Sequence, residues 1–340
     1  MYSETIMFIE EMCEQRIIPG ANYLFFKQGN LKKGKVGYKQ LIPTKVEVTE
    51  ETLYDMASLT KVMMTNTLVL KLMEEGKLSV DDSLRQHLPR WHEPTVTLRH
   101  LLTHTSGINA YIKNRDELSA KELIEALLHL PVDPKKIGVE KVYTDTGTLF
   151  LGFMLEEIYG KDVQQLFREF VLNPLDMKNS GFKLLDNKKC APTEQSILRG
   201  MIVGEVHDPK AFKLKEHCGS AGLFSDINDT WKFVEMMLRK GELSNGEVFL
   251  KKDTIDYLLQ DHTPTKDLSR SIGWDLKYHF ETKHPILFHT GYTGTFIMLD
   301  IISQEAFIFL SNRVHPVDKR EEYLNARDEL LNIYQKEQTK

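Results

Sequence analysis

Apolar residues return every three to four positions over residues 1–18 and over 58–75, where Val62, Met63, Leu68, Val69 and Leu72 fall on one side. This period predicts amphipathic helices. Pro19-Gly20 and Gly76 supply their stops. Residues 21–27 (ANYLFFK) and 33–39 instead read as short strands, with Gln28-Gly29-Asn30 between them as a hairpin signal. Helical patterning dominates the middle of the chain, at 118–130 before Pro131, 146–159 before Gly160 and 166–172 before Asn173-Pro174. Further on, 230–240 and 252–259 are helical in pattern, while 286–289, 295–300 and 306–312 are closely spaced strands. A charged helix over 319–340 closes the chain, with Tyr323, Leu324, Leu330, Leu331 and Ile333 as its apolar side.

The order is sheet, helical insert, sheet. It predicts an α+β fold: one antiparallel sheet, flanked by helices and built from both chain ends, around an inserted helical subdomain. Residues 1–60 and 215–340 make the sheet subdomain in this reading, and 61–214 the mainly helical one. Together they form one catalytic unit with its site in the cleft between them, a common place for a small-molecule site.

Composition narrows the class. At 340 residues, 41% hydrophobic and 27% charged, the chain reads as globular, which sets aside disorder and fibrous repeats. Forty-four Lys and Arg against 49 Asp and Glu leave a formal charge of −5, interspersed rather than striped, so no nucleic-acid partner is expected. The N-terminus carries acids early and lacks a basic stretch followed by an apolar run. No uncharged apolar segment reaches membrane-spanning length. The expectation is a cytoplasmic protein acting on a small-molecule or peptide substrate. Cys13, Cys190 and Cys218 are widely spaced with no C-x-x-C pair, and read as reduced thiols.

Candidate chemistry begins at Ser58-Leu-Thr-Lys61, where a serine and a lysine three residues apart share one face of the second helix. A serine hydroxyl needs a neighbouring base, and a lysine serves only if burial or nearby positive charge lowers its pKa. The free N–H groups of a helix start suit a developing oxyanion. The same spacing recurs at Ser180-Gly-Phe-Lys183, in a loop with no long helix behind it, so spacing alone does not choose. Tyr143 and Asp145 stand just before the apolar helix at 146–159, and a tyrosine there can relay a proton to a leaving group. His289-Thr290-Gly291-Tyr292 joins two strands, where glycine lets a substrate lie along the edge and an N–H completes an oxyanion hole.

Other residues have plainer readings. His100 and His104 have i, i+4 spacing but lack the glutamate of a zinc-protease motif and a third ligand, so no metal site is assigned. His207 and Asp208 read as a hydrogen-bonded pair buttressing the cleft. Trp274, Phe280 and Met63 read as core. Arg313 and His315 are placed either at the surface or within reach of a substrate acid group.

Taken in order, these elements resemble the serine penicillin-recognising family of class C β-lactamases, D-Ala-D-Ala carboxypeptidases and related esterases and amidases. Further segments agree: Leu101-Leu-Thr-His-Thr-Ser-Gly107, Asn173-Pro-Leu-Asp-Met177, Gly204-Glu-Val-His-Asp208 and Gly219-Ser-Ala-Gly-Leu-Phe224. The resemblance implies a β-lactamase/transpeptidase-like fold and no cofactor. It implies Ser58 as acylated nucleophile, Lys61 as its base or proton store and Tyr143 as second proton shuttle. The amides of Ser58 and Tyr292 would form the oxyanion hole, and Asp145, His289, Thr290, Gly291 and Tyr292 would contact substrate. Two departures stand out: Asp145 replaces the usual Asn, and His289 the usual Lys. A histidine is mostly neutral near pH 7, so carboxylate capture should weaken and improve as pH falls. The activity implied is hydrolysis of an amide or ester (a muropeptide, D-Ala peptide or small ester) through an acyl-enzyme. A non-catalytic penicillin- or peptide-binding protein and a metal-dependent hydrolase are the alternatives.

Overall fold

The computed structural model describes residues 1–184 and 186–339. Its strands are β1 (Gly20–Lys27), β2 (Asn30–Gln40), β3 (Val46–Glu47), β4 (Tyr54–Asp55), β5 (Gln195–Ser196), β6 (Gly200–Met201), β7 (Phe224–Ser225), β8 (Asp275–Tyr278), β9 (Pro285–Gly291), β10 (Thr295–Asp300) and β11 (Glu305–Ser311). Its α-helices are α1 (Ser3–Glu14), α2 (Asn66–Glu74), α3 (Leu84–His87), α4 (Leu98–Leu102), α5 (Ala120–Leu128), α6 (Thr146–Tyr159), α7 (Val163–Phe167), α8 (Pro209–Leu214), α9 (Ile227–Leu238), α10 (Lys252–Tyr257) and α11 (Arg320–Gln338).

The main sheet runs β3-β2-β1-β11-β10-β9-β8, with every described pairing antiparallel. Strands from the two chain ends meet where β1 pairs with β11, from Ala21 opposite Ser311 to Lys27 opposite Glu305. Gln28 and Gly29 both take positive φ in the β1–β2 turn, the two-residue geometry that matches strand twist.

Both faces of the sheet are covered, and alternation along β11 divides its side chains between them. Phe307 and Phe309 join Tyr2, Phe25, Phe296 and Tyr334, a cluster that α1 and α11 close from outside. Ile308 and Leu310 join the larger cluster formed with residues of α2, α6 and α9. Helix α6 is buried from Thr146 to Leu155, so it is the central rod of the helical region rather than an amphipathic surface helix.

Several expectations shift. The helix expected over 58–75 opens with a π-helical turn, Lys61–Thr65, before α2, and Ser58 stands just ahead of it. The first helix ends at Glu14, not 18. Strand β8 carries no clear alternation and is not among the strands the sequence predicts. Phe280, expected in the core, is 60% exposed in the β8–β9 connection, whereas Met63 and Trp274 are buried. Among the described residues no helix is long and apolar enough to cross a membrane.

Candidate active site

The turn that carries Ser58 is fixed by a buried acid. Asp55, at the end of β4, accepts the Ala57 N–H at 2.8 Å with Oδ1 and the His207 N–H at 2.7 Å with Oδ2. Ala57 takes a left-handed φ of 45°, a strained setting for a residue with a Cβ. Successive i to i+3 bonds then wind the chain, the Lys61 N–H donating to Ser58 O at 3.0 Å. The result places Lys61 Nζ 2.6 Å from Ser58 Oγ, to which it donates.

Lys61 is almost wholly buried and meets two further oxygens, Ser220 O at 3.0 Å and Asp145 Oδ1 at 2.8 Å. Burial works against its charge, but the negative Asp145, with Tyr143 and Asp208 adding to it, outweighs that cost and raises the lysine pKa above its ordinary value. A lysine that is to accept the serine proton needs the opposite shift. Asp145, at the N-terminus of α6, does not cap that helix with its side chain. Its second oxygen meets Lys210 Nζ at 2.6 Å. Burial alone would favour the neutral acid, yet the two lysines hold its pKa well below the carboxylate range. Ser58, buried Lys61, Asp145 and Lys210 thus form one polar chain along the cleft wall.

The end of β9 closes the other wall. Thr293 Oγ1 donates to Asp55 O at 2.6 Å and Thr295 Oγ1 lies 3.3 Å from Met56 O, so the β9–β10 turn is seated on the Ser58 turn. Gly291 makes the approach possible: a Cβ there would sit 2.6 Å from Met56 O and 2.2 Å from Thr295 Oγ1. Gly291→Ala is therefore expected to destabilise the protein by about 1–3 kcal/mol, and to lower activity with it. Thermal unfolding checks this, and an unchanged Tm would mean the two turns are not packed as described. Among the described residues, neither the Ser58 nor the Tyr292 N–H donates to a protein acceptor.

Tyr292 is held from three sides. Its ring stacks on His207 at 5.5 Å, Arg313 lies 4.6 Å over it, and its hydroxyl donates to Asp318 at 2.7 Å. Arg313 also donates from Nε to Tyr292 O at 2.8 Å and pairs with Asp318. Arg313 and His315 are both buried, against the surface alternative. His315 accepts the Leu41 N–H and meets Thr193 O, a structural position. Asp208 caps α8 through Ala211 N–H at 2.8 Å, while the His207 ring supports Tyr292, so the two buttress the cleft through separate contacts.

His289 does not present a cation to the cleft. It is 2% exposed, with Nδ1 3.1 Å from Thr290 O. Burial, then the charges of Arg270 and Lys61, push its pKa well below the histidine range. Mildly acid pH therefore restores no positive charge at residue 289, contrary to the expected gain in carboxylate capture. Arg270, which spacing did not suggest, is itself buried and pairs with Asp275 at 2.5 Å. Tyr143 stands half-exposed with its ring 4.6 Å from His104, and Lys61 and Arg270 each lie 5.6 Å from that ring. His104 is accordingly packed behind Tyr143, while His100 bonds Thr97 at the start of α4, so the two histidines serve different neighbours.

Ser58, Tyr143, Asp145, Thr290, Gly291 and Tyr292 line one cleft of about 560 Å³, which His207, Asp208 and residues of α11 complete. The second Ser-x-x-Lys stands elsewhere: Ser180 Oγ is 2.9 Å from Ser225 Oγ and donates to Asp229 at 3.0 Å. Ser180→Ala should leave turnover within about twofold and cost roughly 1 kcal/mol of stability. Loss of turnover in that variant alone would move the nucleophile to Ser180. Lys210, Arg270 and Asp55 are the site residues that sequence reasoning missed. The one sequence-level cue was Asp145 itself, because an acid in place of an amide calls for an added cation.

Comparison with known proteins shows the family and the fold. The family model described as Beta-lactamase matches residues 7–331. An N-acetylmuramyl-L-alanine amidase of Bacillus subtilis is 28% identical, over 93% of this chain and 83% of its own. Among solved structures, a class C beta-lactamase superposes with a TM-score of 0.78 at 17% identity, covering 97% of this chain and 96% of that one. EstCE1, a hydrolase with promiscuous acyltransferase activity, superposes with a TM-score of 0.76 at 20% identity, covering 97% and 98%.

Proposed function

The chain belongs to the beta-lactamase family, and on that premise we propose that it is a serine hydrolase that cleaves an amide or ester through an acyl-enzyme on Ser58. The observation that carries the reading is the 2.6 Å contact of Ser58 Oγ with Lys61 Nζ on the wall of a cleft that also holds Tyr143. In this mechanism Ser58 Oγ attacks the substrate carbonyl and its proton passes to Lys61 once that lysine is neutral. Tyr143 returns a proton to the leaving group. The Ser58 and Tyr292 amides, with no protein acceptor of their own among the described residues, receive the oxyanion. Water then releases the acyl group by the same route. The catalytic unit is taken as residues 1–60 with 215–340 against residues 61–214, with the cleft between. Candidate acyl donors are a muropeptide, a D-Ala peptide and a small ester. The amidase relative supports the first. With His289 buried and neutral, small uncharged esters should exceed penicillins as substrates.

The test is intact-protein mass after rapid quenching with p-nitrophenyl acetate, benzylpenicillin and a disaccharide-peptide. An added acyl mass that peptide mapping assigns to Ser58 is the expected result. Turnover of any of the three with no adduct, and with chelator sensitivity, would replace this reading with metal-dependent hydrolysis. Binding without adduct or turnover would leave a recognition protein.

A further inference from the structure

Tyr143 and Thr290 line the nucleophile cleft and also a second pocket, of about 280 Å³, which His104, Lys141, Arg270, Asp275 and His289 complete. Two buried atoms of these lining residues, Arg270 Nε and His289 Nε2, have no partner among the described residues. The rest of each side chain is spent. Arg270 donates from Nη1 to Asp275 at 2.5 Å and from Nη2 to Gly273 O at 3.1 Å. His289 Nδ1 meets Thr290 O at 3.1 Å. A carbonyl can only accept, so Nδ1 carries the proton and Nε2 the free lone pair. One donor and one acceptor are thus left unmet, and buried polar groups without partners are costly.

The surrounding charges select what can meet both. Arg270 is balanced by Asp275, while exposed Lys141 donates to Leu268 O at 2.6 Å. Burial holds His104 and His289 well below the ordinary histidine range, so both are neutral near pH 7. A carboxylate offers acceptors only. It would suit Arg270 Nε but set an oxygen against the His289 lone pair and the Asp275 charge. An amide brings a carbonyl for Arg270 Nε and an N–H for His289 Nε2. Tyr143 indicates which part of a substrate this is, since it serves the departing group in the proposed mechanism and lines both spaces.

We propose that this pocket holds a carboxamide of the departing group. The substrate is then an acyl donor whose leaving amine or alcohol continues into an amide, as inside a peptide, instead of ending in a free carboxylate. The kinetic form of this inference rests on the acyl-enzyme reading, with Tyr143 beside the departing group; the binding form does not.

The test uses four phenylacetyl esters that differ only at the departing alcohol: lactamide, N,N-dimethyl-lactamide, methyl lactate and lactate. The readout is kcat/KM relative to the methyl lactate ester. In wild type the lactamide ester should lead by about tenfold or more, the dimethyl form should lose most of that lead because it has no N–H, and the lactate should trail. Arg270→Lys keeps a cation for Asp275 and removes the Nε donor, and His289→Leu removes the acceptor. Each should cut the lactamide ratio about tenfold, and any general loss of activity cancels in the ratio. In parallel, calorimetric titration of the same esters into the Ser58→Ala protein should rank them in the same order. Hydrolysis of p-nitrophenyl acetate at Ser58 with equal lactamide and methyl lactate ratios would overturn the pocket and leave the hydrolase reading standing. So would a wild type that prefers the lactate. If no ester is turned over, the hydrolase reading fails and the titration alone decides, equal binding of lactamide and methyl lactate esters overturning the pocket.

Discussion

Ser58→Ala is expected to abolish covalent labelling by a fluorophosphonate and to lower ester turnover by about 10⁴-fold or more, the scale seen when a hydrolase loses its nucleophile. The loss should fall on the chemistry and not on the fold. Ser58 sits in a turn held by backbone groups, by Asp55 through the Ala57 N–H and by the seated β9–β10 turn, none of which needs its hydroxyl. Lys61 would keep Asp145 and Ser220 O when Oγ is removed, so its buried charge stays paired. Tm should accordingly move by no more than a few degrees. Two measurements check this together: the mass of the labelled protein, and thermal unfolding of wild type and variant. Labelling that persisted in a folded Ser58→Ala protein would sink the assignment.

The parts of this molecule that could be read in advance are those whose signal is local. Strand β10 coincides with the predicted 295–300, because a short apolar run between Gly294 and a turn has few other uses. The same holds for α6, where Gly160 takes the left-handed φ of 65° that ends the helix. Bounds were missed where side chains set them. Helix α9 starts at Ile227 because Asp226 accepts the Asp229 N–H, and α5 at Ala120 because Ser119 and Glu122 make a capping box. Edge strand β8 was illegible because exposed Lys277 and Tyr278 break the apolar run that marks a covered strand.

The site divides in the same way. Ser58 and Lys61 are bound by a spacing of three, and the order of motifs brought Tyr143, Asp145 and 289–292 to one place. What no spacing conveys is the electrostatic setting. Lys210 reaches Asp145 across 65 residues of sequence, and Arg270 comes within the influence of His289 only through the fold. Burial, with Arg270 and Lys61 adding to it, removes the acid-pH gain expected of His289, and Asp145, held ionised by its lysines, keeps Lys61 charged where a base needs a lowered pKa. The sign of a pKa shift depends on which charges the tertiary structure gathers, and residue identity at one position does not carry that.

That sign leads to a prediction on Asp145. Lys61 faces Asp145 at the start of α6, Tyr143 before it, the Ser220 carbonyl, and more distantly Asp208. Its pKa is raised, so the neutral lysine that accepts the Ser58 proton is scarce at pH 7, and activity should climb with pH toward the alkaline side. Asp145→Asn removes the negative charge that does most to keep Lys61 protonated, while leaving Lys210 close by as a second cation. Both changes favour the neutral lysine. The alkaline rise of kcat/KM should therefore move down by about 1–3 pH units, the usual effect of one close opposite charge. Near pH 7 that is an order of magnitude or more in the reactive fraction. The maximal rate can fall at the same time, because Asp145 also orients Lys61. The position of the rise, measured for the pseudo-first-order acylation of Ser58 by a small neutral ester, separates the two effects. A rise that stays at the wild-type pH in Asp145→Asn would mean that Lys61 is not the titrating base, and would transfer that role to Tyr143.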